Sequence, residues 1–171
     1  MKGTYTLLLV CKRSFRTKIG KLGYVNVRKG HYLYTGSALG QGAVSLEGRL
    51  RRHRQVSKKT RWHVDYLTAK RKCTVSVAVC LRSRQRLECS INCALARRLN
   101  VRPVLPRAGS SDCACEAHLV KVVSSMSDRR VLDAVIRVYE DFRQLNQFSS
   151  DTASKSRGLL PIYSRKRRER F

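Results

Sequence analysis

Tyr32-Leu33-Tyr34-Thr35-Gly36-Ser37-Ala38 is the stretch that decides the fold. Aromatic and β-branched residues lead to Thr35, and glycine and serine follow, so it reads as a short strand ending in a glycine turn. A glycine-rich loop over 36–42 then feeds a helix over 43–55. On that helix Leu46, Arg49, Leu50 and His53 share one face by the spacing rule for a 3.6-residue turn. A phenol, a guanidinium and an imidazole gathered in this way suit chemistry on a phosphodiester.

Outward from this stretch, Thr4 to Lys12 is rich in long apolar residues and reads as a strand. Gly20 and Gly23 bracket a turn, Tyr24 to Val27 is a second strand, and His31 to Thr35 is a third. Three short strands at this spacing predict an antiparallel meander. Trp62 to Leu67 reads as a short packed helix, Cys73 to Leu81 as a fourth strand and Leu87 to Leu99 as a second main helix. Glu88 in the first turn of that helix and Arg97-Arg98 in its last suit the helix dipole. Arg102 to Cys115 is expected as loop and His118 to Val123 as an edge strand. Ser127-Asp128 can cap a helix running to about Phe148, with Leu132, Val135, Ile136, Tyr139 and Phe142 on its apolar face. The fold class is α/β of the α+β kind: a central antiparallel sheet flanked by helices, plus a C-terminal helix and a basic tail. The expected division is a domain over 1–123, an appended helix over 124–148, and a linker with a basic tail over 149–171.

Charge is the outlier of the composition. Thirty-seven Lys and Arg against 11 Asp and Glu give a net charge of +26. That excess repels itself in a compact chain, and a polyanion relieves it. Nucleic acid is the expected partner, DNA first and RNA second. A membrane surface is disfavoured because the basic residues are spread over the whole chain instead of one amphipathic helix. No apolar run approaches a transmembrane span, and Leu7 to Cys11 is too short for a signal-peptide core, so a cytoplasmic location is expected. Seven cysteines, an odd number, argue against a complete disulfide framework, and most are expected as free thiols.

Two tyrosine motifs come first among the chemical constellations. Gly3-Thr4-Tyr5 opens the first strand and Tyr34-Thr35-Gly36 closes the third. If those strands pair, their phenols meet at one end of the sheet. The plain reading is that tyrosines fill strands and cores; the functional one is proton transfer, given a cation to lower a pKa near ~10. Arg49 falls on the face that touches the sheet, where a buried charge needs a partner and a phosphate would serve. Arg51, Arg52 and Arg54 belong to a solvated basic face. Glu88 reads either as a helix-start carboxylate or as a ligand for a single Mg²⁺ or Mn²⁺. His63 and Asp65 are splayed by their spacing, which favours a supporting role. Cys113-x-Cys115-x-x-His118 with Cys89, whose helix face Cys93 shares, supplies soft ligands for a structural Zn²⁺, although the Cys-x-x-Cys knuckle is missing and buried cysteines are commonly plain hydrophobes.

In order, these residues resemble the GIY-YIG nuclease superfamily, and within it the mainly archaeal Uri-type branch. Gly3-Thr4-Tyr5 and Tyr34-Thr35-Gly36 match the two motif halves. Arg49 matches the helix arginine, His53 the position one turn later and Glu88 the metal-binding glutamate. Tyr32 to Ala38, Arg49 to His53, Trp62 to Leu67, Glu88-Cys89 and Ser111 to Leu119 extend the resemblance over about residues 1–123. It implies a metal-dependent DNA endonuclease in which Glu88 holds one Mg²⁺ or Mn²⁺, Arg49 binds the phosphate, and Tyr5 or Tyr34, relayed by His53, takes the proton of the attacking water. Gly36 and Ser37 belong to the same loop. Ser37 stands where several members carry a lysine, so Lys59 or Arg52 is expected to supply that charge. An asparagine used by some members corresponds to Asn100 by spacing and to Asp112 by motif. The rival readings are a nucleic-acid binder that cuts nothing with the same basic surface, and a zinc-stapled adaptor.

Overall fold

The computed structural model describes residues 1–69, 73–123 and 125–148. Seven strands and four α-helices follow one another: β1 Gly3–Cys11, β2 Phe15–Lys18, β3 Tyr24–Val27, β4 Gly30–Ala38, α1 Leu46–Arg54, α2 Asp65–Thr68, β5 Thr74–Arg82, α3 Glu88–Arg98, β6 Val101–Pro103, β7 Leu119–Val122 and α4 Asp128–Phe148. The linker and basic tail expected over 149–171 lie outside the described residues.

The main sheet has the order β5-β1-β4-β7-β6, and every pairing in it is antiparallel. β1 is paired along both edges, and helices cover both of its faces. Its run Leu7-Leu8-Leu9 is accordingly apolar without alternation. The first and third strands of the sequence reading do pair, but not as a meander. Tyr24–Val27 joins a strand the sequence reading passed over, Phe15–Lys18, in a separate two-stranded sheet. Each strand of that hairpin is only four residues long, and Phe15 is the one apolar residue of the first, so little local pattern marks it. The strand expected at the edge, β7, is interior. The edge on that side belongs to β6, two of whose three residues fall in what reads as loop because Pro103 argues against a strand and is tolerated only at an edge.

Alternation along β1 divides the helices between the two faces. Tyr5 bonds His53 of α1, and the next residue, Thr6, bonds Tyr139 of α4. Neighbouring side chains leave a strand on opposite sides, so α1 and α4 cover opposite faces. Helix α4 buries Val131, Val135, Val138 and Tyr139 in the same core as β1 and β4. Val131 and Val138 were absent from the apolar stripe read in the sequence; Leu132, Ile136 and Phe142 flank the core instead. Ser127 caps this helix by accepting from the Arg130 amide at 3.4 Å. Two of the seven cysteines, Cys11 and Cys73, form a disulfide with Cα atoms 4.3 Å apart, and five are free. No described helix is long and apolar enough to cross a membrane.

One detail of register opens the site. β7 pairs with β4 only at residues Tyr32, Leu33 and Tyr34. Past Tyr34, the Thr35 amide donates to the His118 carbonyl at 3.1 Å, and β4 runs on to Ala38 without β7 beside it. A cleft forms at that uncovered end.

Candidate active site

The cleft has a volume of ≈ 360 Å³. Its walls include Tyr34 to Ser37 from β4, Arg49 from α1, the segment Arg61 to His63, Arg86 and Glu88 at the start of α3, and Gly109, Ser111, Asp112 and His118 from the β6–β7 loop. Five stretches of the chain converge there. Three guanidiniums face two carboxylates, so the cleft is suited to an anion.

Tyr5 pairs with Gly36 across β1 and β4, which puts the two tyrosines and the glycine on the α1 face. A Cβ at Gly36 would lie 2.9 Å from the Tyr5 hydroxyl and 3.4 Å from Tyr34 Cε1, so only glycine lets both phenols close over this point. The ring centroids of Tyr5 and Tyr34 are 6.2 Å apart. They differ in access. Tyr34 lines the cleft, whereas Tyr5 is fully buried behind it and its hydroxyl is 2.8 Å from His53 Nε2. Burial pushes Tyr34 up to about 12 against the opposing pull of Arg49, and burial likewise raises Tyr5 well above the ordinary phenol value. Burial, and then the charge of Lys58, depress His53 to about 3, so its imidazole is neutral.

His53 Nδ1 faces Asp65 Oδ1 at 4.0 Å. With the ring proton on Nδ1, the nitrogen that faces the carboxylate, Nε2 is the acceptor for Tyr5. Asp65 is fully buried and accepts from the Arg61 and Trp62 amides at 2.9 and 3.1 Å and from Arg52 at 2.6 Å. Lys58 lies 3.3 Å from its other oxygen. Burial pushes this carboxyl up, but the two amides and the two cations outweigh it and hold the pKa below the ordinary value. Asp65 thus organises the floor of the site, a role its supporting reading understated. A signal was present: it is the only acid between Glu47 and Glu88.

Arg49 is half buried against the Trp62 ring at 4.9 Å from its centroid. Its Nε has no hydrogen-bond partner among the described residues. A guanidinium held by a ring, with an idle donor, leaves donors for a ligand. Arg52, expected on the solvated face, instead pairs with Asp65 and with the Lys59 carbonyl. Neither Arg52 nor Lys59 is in the cleft wall. The cleft wall instead carries Arg61 and Arg86 beside Arg49, cations which the sequence reading did not single out.

Glu88 is buried at the first turn of α3 and accepts a hydrogen bond from Ser37, which in turn contacts Thr4 at 2.9 Å. Arg86 Nε lies 3.1 Å from Glu88, and its terminal nitrogen 2.8 Å from Asp112. The two cleft carboxylates are therefore bridged by one largely exposed arginine. Asn100 follows the far end of α3 and is not in the cleft wall, while Asp112 is. His63 lines the cleft and its Nδ1 accepts from the Gly109 amide at 2.8 Å. Gly109 has φ +82°, and a Cβ there would approach Tyr34 to 3.0 Å.

Beside Glu88, the next residue Cys89 turns toward Cys113, Cys115 and His118. The donor atoms of these four all lie within 4.8 Å of one another, so the group can hold a metal ion. Cys93, the other cysteine on that helix, is exposed and outside the group.

The chain belongs to the family described as Domain of unknown function DUF123, whose model matches residues 4–143. No curated protein and no solved structure matches the chain.

Proposed function

We propose that this member of the family is a divalent-metal-dependent endonuclease of the GIY-YIG type acting on DNA. The observation that carries the reading is the convergence in one cleft of Tyr34, Arg49 and Glu88, backed by the Tyr5–His53 pair. The motif order resembling that superfamily supports it, as does a net charge of +26 suited to a polyanion.

The donor set at Glu88 fits a hard cation: a buried carboxylate with the Ser37 hydroxyl beside it and a second carboxylate, Asp112, across Arg86. Glu88 would hold Mg²⁺ or Mn²⁺, and Arg86 would give up its contact with it. When bound, the ion supplies Lewis-acid charge neutralisation at the phosphodiester. Arg49, a cleft-wall guanidinium held against the Trp62 ring, would bind the phosphate and stabilise its growing charge.

Tyr34 is the phenol in reach of an attacking water, but at neutral pH it is protonated. It can accept the water's proton only by passing on its own. The Tyr5 hydroxyl receives that proton and hands its own to His53 Nε2, a step that needs the bound phosphate's charge to offset the burial and the cations that hold the imidazole at about 3. Asp65, 4.0 Å from Nδ1, offsets the charge that then appears on the imidazole. The two tyrosines thus take different parts, Tyr34 at the water and Tyr5 in the relay.

The test is cleavage of single-stranded, duplex and branched DNA with Mg²⁺, Mn²⁺ or chelator. Cleavage is expected only with the divalent ion, and Glu88→Gln should abolish it while DNA affinity stays within a few-fold. Arg49→Ala should cost on the order of 10²–10³ in rate. Arg51→Ala, at an exposed position of the same helix, should alter only affinity and its salt slope. Salt-dependent binding that ignores chelator, with no cleavage of any substrate, would identify a nucleic-acid binder instead.

A further inference from the structure

We infer that Cys89, Cys113, Cys115 and His118 form a structural zinc site that clamps the β6–β7 loop onto the first turn of α3. It stands apart from the nuclease reading, since nothing in it depends on what the cleft does.

Geometry comes first. Zinc bonds thiolate sulfur at about 2.3 Å and imidazole nitrogen at about 2.0–2.1 Å. A regular tetrahedron with those arms has sulfur–sulfur edges of about 3.8 Å and sulfur–nitrogen edges of about 3.6 Å. The Cys113 Sγ to His118 Nε2 distance is 3.6 Å. All four donor atoms fall within 4.8 Å of one another, so closure onto an ion needs only side-chain adjustment. Three thiols and one imidazole make the Cys₃His donor set of closed, structural zinc sites.

The alternatives account for less. Cysteines used as plain hydrophobes sit in the core, as Cys80 does at 8% exposure; Cys89, Cys113 and Cys115 are only partly buried at the surface end of α3. Disulfide pairing would consume two thiols, strand the third and leave the imidazole no role. Where two cysteines meet alone, at Cys11 and Cys73, they are bonded; where three meet around a histidine, all three are free.

The segment also needs a clamp. Between β6 and β7 the chain runs from Val104 to His118 with no α-helix or strand. Loops this long in a compact domain are uncommon without a staple or a function. Arg107, at φ 65°, folds the loop around its guanidinium, which donates to the carbonyls of Ser111, Cys113 and Cys115. Asn92 on α3 donates to the Ala117 carbonyl at 2.9 Å. These bonds shape the loop, and among the described residues the Asn92 bond and the exposed Arg86–Asp112 pair tie it to α3 and its start. A zinc ion would add a tie there with a bond energy no single hydrogen bond supplies. Its ligands are also the immediate neighbours of Glu88 and Asp112, so the clamp sets the spacing of the two cleft carboxylates. Soft thiolates select zinc and oxygen donors select magnesium, so the two kinds of ion would not compete for one position.

The experiment is metal analysis of the full chain purified without chelator, followed by exchange with Co²⁺. About one equivalent of zinc per chain is expected, with tetrahedral thiolate-cobalt absorption after exchange. Cys89→Ser and Cys115→Ser should each lose the zinc and the cobalt spectrum, and Cys93→Ser should keep both. Circular dichroism on each variant separates lost metal from lost fold, and the wild-type stoichiometry stands whether or not a variant folds. Folded wild-type protein with no zinc and no cobalt spectrum overturns the proposal. So does a disulfide within the group on peptide mapping under non-reducing conditions.

Discussion

Acid should destabilise this protein through His53 well above the pH at which carboxylates protonate. The imidazole is buried between Tyr5, Tyr34 and Trp62, with ring centroids 5.4 to 5.7 Å away. Burial and the nearby cations take its pKa from 6.5 to about 3. Because the folded pKa is depressed, the unfolded chain takes up the proton first as pH falls. The stability is whole above pH 6.5 and is lost progressively down to about 3. Over the full window the loss approaches about 5 kcal/mol at 1.36 kcal/mol per unit, and by pH 5 it is about 2 kcal/mol. His63 and His118 are also depressed by burial and add a background. Asp65, held below its ordinary value of 3.8, adds its loss only in stronger acid. The assay is urea unfolding at pH 7.5 and pH 5.0 for the wild type and for His53→Gln, whose amide does not titrate. The background cancels in the comparison, so the wild type should lose about 2 kcal/mol more than the variant. Equal losses would refute the buried neutral imidazole, and with it the relay from Tyr5.

Gly36→Ala should cost about 1–3 kcal/mol by overpacking, since the new methyl meets the Tyr5 hydroxyl at 2.9 Å inside a covered sheet. It should also slow cleavage by displacing Tyr5 from His53; unchanged stability and rate would mean that the phenols have room to move. Reduction of Cys11–Cys73 by a phosphine should cost about 4 kcal/mol, because the bridge closes a loop with a sequence separation of 62. Calorimetry with and without reductant measures this, and an unchanged melting temperature would mean that the loop is already constrained when unfolded.

Much of the fold was legible in the chain because local pattern and global arrangement agree there. The apolar run of β1, the 3.6-residue spacing on α1 and the serine cap of α4 each act within a few residues. Tyr5, Tyr34, Arg49, His53 and Glu88 were identifiable because motif order survives without coordinates. The sequence also named Cys89, Cys113, Cys115 and His118 as metal-ligating candidates. That their donor atoms lie within 4.8 Å of one another only the tertiary structure decides, because it depends on which face of α3 the β6–β7 loop lies against. The same holds for the division between Tyr34 in the cleft and Tyr5 behind it. That division follows from β7 stopping at Tyr34, a fact of register between strands far apart in the chain. Arg52 read as a solvated charge until Asp65, thirteen residues on, was folded beneath it. Periodicity reports which side of an element is buried; which charge meets which across that buried side is a long-range pairing that no local pattern encodes.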